Sequence, residues 1–209
     1  MPQLNILFCG CGFLASHLIP HVLPFTKHII LLDKDRIEKV NYDNSIFPKN
    51  YIGRRKVTAL ASMVQMLSSI QTTPIHLNLK STNELEELCT EYEIDLIFVT
   101  FDNIESRLIV RDFAIKSKIP TLFIGITLGY IYIDWAEKVV LPASPEEIQK
   151  LKKEAEKIRD VCTRLEFRTL GVISAGYAYF VFTKWLDNQE KFMLNISIGD
   201  EIESTILKR

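Results

Sequence analysis

The stretch ILFCGCGFLASHL, Ile6 to Leu18, constrains the fold of this chain more than any other. An apolar run leads into Gly10-Cys11-Gly12 and then into a segment with helical spacing. Ala15 completes a Gly-x-Gly-x-x-Ala pattern. A strand, a glycine turn and a helix in that order leave backbone N–H groups free at a helix N-terminus. Those donors, together with the helix dipole, bind phosphate oxygens. Gly10 permits the tight turn, Gly12 lets the backbone approach an anion, and Ala15 allows helix and strand to pack closely. Asp33 ends the next apolar run, about twenty residues on, where a carboxylate can accept hydrogen bonds from ribose hydroxyls. The pattern points to a nucleotide without separating NAD from ATP, and a glycine-rich turn with no ligand is the plainer alternative.

The elements that follow alternate. Strands are expected at Leu4–Cys9, His28–Asp33, Pro74–Leu79, Asp95–Phe101 and Thr121–Ile126. Helices are expected at Phe13–Leu23, stopped near Pro24, and at Arg54–Ser69, Glu84–Glu93 and Arg107–Ser117. Such alternation implies an α/β, doubly wound, Rossmann-like, mainly parallel sheet with helices on both faces. The end of the chain departs from it. Tyr130–Leu141 and Phe192–Leu207 read as antiparallel or mixed strands, separated by a charged helix (SPEEIQKLKKEAEKIRD) and an apolar helix from Leu170. No linker stands out, so residues 1–209 are expected to form one domain.

Bulk properties exclude several classes. The 209 residues carry a net charge of −1, which gives no electrostatic hold on nucleic acid or membrane surfaces. The N-terminus lacks the basic and apolar regions of a signal peptide, and Gly176 and Lys184 interrupt the apolar stretch Leu170–Leu186. Four cysteines do not make a disulfide framework in a chain of this size, so a cytoplasmic setting is expected. His17 and His21 are the one histidine pair at i, i+4 and read as packing rather than a metal site.

The discriminating text is LLDKDRIEKVNYDNSIFPKNYIGRRKVTAL, followed later by VTFDNIESRLIV. Asp33, Asp35, Glu38 and Asn41 precede Phe47, and Gly53-x-x-Lys56 then opens a helix. Asp102-Asn103 follows the fourth strand, with Arg107 about one helical turn on. An NAD-dependent dehydrogenase has no use for this text. The order and spacing resemble the family of ThiF, MoeB, HesA and the ubiquitin-activating enzymes, from the glycine turn to about Leu186.

That resemblance implies ATP-dependent adenylation of the C-terminal carboxylate of a ubiquitin-like or sulfur-carrier protein with a Gly-Gly-like tail, or of a peptide. It implies ATP and Mg²⁺ as cofactors. Asp33 would hold the ribose, Asn41 and Lys56 the phosphates, and Asp102 the Mg²⁺. Gly10, Cys11, Gly12, Ala15, Asp35, Asn44, Arg55 and Asn103 complete the implied nucleotide site, and Arg107 joins Asp102 and Lys56 in the catalytic set. Plainer roles exist for each: a solvated lysine at 56, a helix N-cap at 102, a carboxylate partner for Arg107. Cys162 lies ahead of Gly171 at a spacing similar to that of the family's acyl-accepting cysteine, with Arg159 and Arg164 beside it to favour the thiolate. A loop cysteine without chemistry is the alternative.

Three departures stand against the family pattern. Asn44-Ser45 occupy the place of a usual Arg-Gln. The chain opens at its first strand, without the helix that lends an arginine to a partner's site. No Cys-x-x-Cys pair offers a structural zinc site. A homodimer, or a heterodimer with a related subunit, is therefore expected. The competing readings are a non-catalytic scaffold subunit, an NAD-linked oxidoreductase and, within the family, an enzyme that dehydrates a modified tRNA base. The segment Pro145–Asp160 reads either as a mobile cover over the substrate tail or as a solvated helix.

Overall fold

The apolar run Leu4–Cys9 is wholly buried from Ile6 onward on both faces. Burial of that kind requires a strand neighbour on each side and a layer of helices on each face. A computed structural model supplies both. It describes residues 3–39, 45–127, 130–142, 144, 146–150, 153, 165–198 and 202–207. The elements run β1 Leu4–Cys9, α1 Phe13–Val22, β2 Thr26–Leu32, α2 Lys56–Leu67, β3 Gln71–Ile75, α3 Thr82–Glu91, β4 Leu96–Val99 and α4 Ile104–Ser117. They continue with β5 Thr121–Thr127, β6 Tyr130–Trp135, α5 Leu165–Asn188, β7 Met193–Ile198 and β8 Ile202–Leu207.

The strands form one sheet in the order β3-β2-β1-β4-β5-β6-β7-β8. Pairing is parallel from β3 to β5 and antiparallel from β5 to β8. The chain reverses its direction of travel between β1 and β4, so a crevice opens at the carboxyl ends of those two strands. Alternate side chains of each strand feed two cores. Ile6, Phe8, Ile29, Leu31, Phe98, Leu122 and Ile124 pack under α1, α2 and α5. Leu7, Cys9, Ile30, Leu32, Ile97, Val99 and Phe123 pack under α3 and α4. The expected fold class is the observed one.

Element bounds differ in ways that have physical causes. The third strand is Gln71–Ile75 rather than Pro74–Leu79. It lies at the sheet's edge, where polar Gln71 is exposed, Thr72 and Thr73 are half-buried, and the missing N–H of Pro74 leaves no neighbour unbonded. The helix expected from Arg107 begins at Ile104, because the Asn103 side chain accepts the Ser106 N–H at 2.8 Å and caps it. The strand-like stretch Phe192–Leu207, expected in antiparallel or mixed pairing, is an antiparallel hairpin of β7 with β8. That expected over Tyr130–Leu141 stops at Trp135, where a turn begins. Most of the charged segment from Ser144 to Asp160 lies outside the described residues. Among the described residues no helix is long and apolar enough to cross a membrane.

Phe182 anchors the first core. It is fully buried on α5 and makes edge contacts with Phe98 of β4 and Phe25, at centroid distances of 5.6 Å each. Phe182→Ala is expected to remove roughly 3–5 kcal/mol of stability, read from the midpoint of a urea titration at unchanged slope.

Candidate functional site

The crevice is built around Gly10. Its φ is +104°, a conformation that side chains with a Cβ rarely adopt. A Cβ there would also lie 2.7 Å from the backbone of Thr100 and Phe101. The exit of β1 and the exit of β4 are thus in backbone contact. The Thr100 hydroxyl donates to Gly10 O at 2.8 Å and the Thr100 N–H to Cys9 O at 2.8 Å. Gly10 N–H donates to Leu32 O at 2.9 Å, tying in β2 as well.

Beyond the turn, α1 starts at Phe13 with Gly12 as its N-cap and no side chain capping it. A Cβ on Gly12 would meet no atom within 4 Å. The helix therefore presents uncapped N–H donors to open space, the donor chemistry and the room that a phosphate needs. The Cys11 N–H points elsewhere and donates to Asp33 Oδ2 at 2.7 Å. Its thiol is buried in the first core, where desolvation, then the nearby charge of Asp33, push it well up. Ala15 is fully buried beneath the turn.

Asp33, at the end of β2, accepts a second N–H, that of Asp35, at 2.7 Å through Oδ1. Each carboxylate oxygen keeps a further lone pair. Burial raises the Asp33 carboxyl, and Lys56 and the two N–H donors pull against it. Lys56 opens α2. Its N–H donates to Asp35 O at 3.0 Å and its ammonium reaches Asp35 Oδ2 at 3.1 Å. Burial would lower the ammonium, but Asp33, Asp35 and Asp102 together hold it above the ordinary lysine range. Lys56 is thus the charge toward which three carboxylates from two loops converge.

Asp102 is exposed just past β4. It does not cap α4, since Asn103 takes that role, and its carboxylate hydrogen-bonds to no other described residue. Arg107 is placed behind the loop rather than in the crevice. It is 5% exposed, and its two terminal nitrogens donate to Phe101 O at 2.6 Å and Ile124 O at 3.1 Å. The guanidinium sits over the Phe123 and Tyr132 rings. Arg55 is exposed and lies across an isolated antiparallel bridge from Arg36. Asn41, Asn44 and Cys162, with Arg159 and Arg164, lie outside the described residues.

The structure adds residues that sequence reading passed over. Thr100 fastens the glycine turn. Tyr132 lies flat on Gly125, where a Cβ would fall 2.2 Å from the ring. Asp134 is buried on β6 opposite Phe123, and its Oδ1 has no hydrogen-bond partner. A lone acid inside YIYIDW, an otherwise apolar and aromatic strand, was the available signal for the last.

The ThiF family's model matches residues 3–179. The chain belongs to the ThiF family. No curated protein matches the sequence of this ThiF-family chain. Among solved structures it is similar in fold to Escherichia coli MccB with ATP, at a TM-score of 0.75 and 17% identity. The match covers 98% of this chain and 63% of that one. MccB described as a microcin C7 biosynthetic enzyme, in complex with N-formylated MccA, matches at 0.76 and 18%, over 98% and 64%. PaaA matches at 0.70 and 14%, over 99% and 64%. This ThiF-family chain therefore spans less than two thirds of the length of these relatives.

Three outcomes are expected of stability measurements. Gly10→Ala should lose roughly 2–4 kcal/mol through backbone strain and overlap. Gly12→Ala, with open space at its Cβ, should stay within roughly 1 kcal/mol of the wild type. Burial first, against Arg107 and Lys138, pushes the Asp134 carboxyl up to about 6. The folded state then holds that proton over a range where the unfolded chain has released it. Stability present below about pH 4 is accordingly lost as pH rises through about 6, by roughly 2 kcal/mol. Asp134→Asn should abolish that fall in urea titrations run across the range.

Proposed function

We propose that residues 1–209 form one ATP-dependent adenylation domain that activates a carboxylate at the C-terminus of a peptide or small carrier protein. The observation that carries the reading is the convergence of the uncapped α1 N-terminus, open at Gly12, with Lys56 and Asp102 at the crossover of a ThiF-family sheet. The MccB relatives with ATP and with N-formylated MccA support it by analogy of fold.

The reaction forms a bond from the substrate carboxylate oxygen to the α-phosphorus and breaks the bond from that phosphorus to the bridging oxygen of pyrophosphate. Acyl adenylate and pyrophosphate are the products. Negative charge meets negative charge, so the site must place positive charge and N–H donors where charge builds up. The N–H groups at the start of α1 serve the phosphates. Lys56, kept protonated by its three carboxylates, serves the oxygens of the reacting phosphate. Asp33, with a lone pair left on each oxygen, accepts from ribose hydroxyls. Asn41, Asn44 and Arg55 belong to the same proposed set. Asp102, exposed and not engaged in capping, fits a Mg²⁺ ligand, and that ion would neutralise the leaving pyrophosphate. Arg107 and Asn103 act on Asp102 by holding the loop rather than by touching substrate. The adenylate would then pass to a sulfur or amine acceptor, with Cys162 as the candidate in this chain.

Calorimetric titration with Mg–ATP and with NAD tests the reading. Mg–ATP binding is expected, weakened at least roughly tenfold by Lys56→Ala and by Asp102→Ala, with no binding of NAD. Binding of neither nucleotide would favour a scaffold subunit, and tight NAD binding would overturn the proposal.

A further inference from the structure

Arg107 and Asp134 form a buried couple beneath the loop that carries Asp102, set around the Phe123 ring with no direct ion pair or hydrogen bond between them. Their exposures are 5% and 6%, and Arg107 Nε and Asp134 Oδ1 each lack a hydrogen-bond partner. Arg107 reaches from α4 toward the sheet face that carries Asp134. There Tyr132, flat on Gly125, and Phe123, opposite Asp134, form the aromatic bed of the guanidinium. Burial disfavours the charge of the guanidinium, while Tyr132 and two carboxylates, Asp102 from the loop and Asp134 from the sheet, favour it. One of its terminal nitrogens holds Phe101 O, the carbonyl just before Asp102, so its placement sets the path of the loop.

A guanidinium in a low-dielectric setting attracts any carboxylate within reach. With Asp134 ionised, its charge is balanced from below. Without that charge, Asp102 is the remaining counter-ion. The couple does not serve stability, because burial disfavours the ionised form of Asp134 more strongly than Arg107 and Lys138 favour it.

We propose that Asp134 is a positioning residue: as the buried counter-ion of Arg107, it frees the Asp102 carboxylate for the cation that accompanies the nucleotide. This rests on the adenylation reading above. The proposal separates two quantities that a purely structural role would move together: affinity for ATP without metal and the gain in affinity on adding Mg²⁺.

The test is calorimetric titration of the full chain with ATP, once in excess Mg²⁺ and once in EDTA, for the wild type, Asp134→Asn and Asp134→Leu. Thermal melts establish that each variant is folded. The wild type is expected to bind ATP more tightly with Mg²⁺. Both variants should keep the metal-free affinity and lose roughly tenfold of the magnesium gain, the scale of losing a group that orients a metal ligand. A variant with the full gain would overturn the positioning role and leave the adenylation reading standing. Equal weakening with and without Mg²⁺ would also overturn it, in favour of a role in packing. A wild type that binds ATP under neither condition would overturn both readings.

Discussion

The contact between the backbones leaving β1 and β4 is the constraint on which the rest of the structure depends. Gly10 sits against Thr100 and Phe101 at a distance that admits no Cβ, and in a conformation that favours glycine. The Thr100 hydroxyl and N–H close the crossing. On one side this contact directs the chain into α1 with its N–H groups uncapped. On the other it directs the chain into the loop that carries Asp102. A parallel sheet that changes direction between two neighbouring strands makes such a crevice as a matter of topology, and Gly10 lets the two walls meet at its floor.

Electrostatics then decide what the crevice can hold. Asp33 spends its carboxylate on the N–H groups of Cys11 and Asp35, which locks the glycine turn to the end of β2. Asp35 holds Lys56 through both its backbone carbonyl and its side chain. The lysine is thereby kept charged and aimed while largely removed from water. Arg107 performs a different task with the same sign of charge. It bonds the carbonyl oxygens of Phe101, just past β4, and of Ile124, within β5, and rests on two aromatic rings. Of the two cations, one lies among the carboxylates of the crevice and the other braces the wall behind it, although both belong to the motifs that carry the family resemblance.

Much of this was legible in the sequence. Continuous apolar runs such as Ile6–Cys9 and Ile29–Leu32 read as interior strands of a covered sheet, and the helices between them follow from period and capping. The glycine turn, Lys56 and Asp102 were legible because each sits at a fixed offset from an element boundary. The edge strand Gln71–Ile75 was not, since an edge position tolerates polar residues and proline that a central strand does not. The hairpin of β7 and β8 was hidden for a related reason: a continuous stretch of strand-like residues does not reveal where it turns.

The sequence by itself determined the order of strands and helices, the strained turn at Gly10 and the positions of the charged residues relative to strand ends. These are local matters of hydrophobic period, backbone conformation and spacing. Only the tertiary structure decided which charges meet. Asp33, Asp35 and Asp102 all favour the charge of one lysine, and Asp102 and a buried Asp134, on a strand that the sequence placed in no site, both favour that of Arg107. The reason is that an ion in a protein interior answers to whatever lies within a few ångströms through space, and the sheet order, not the distance along the chain, sets those neighbours.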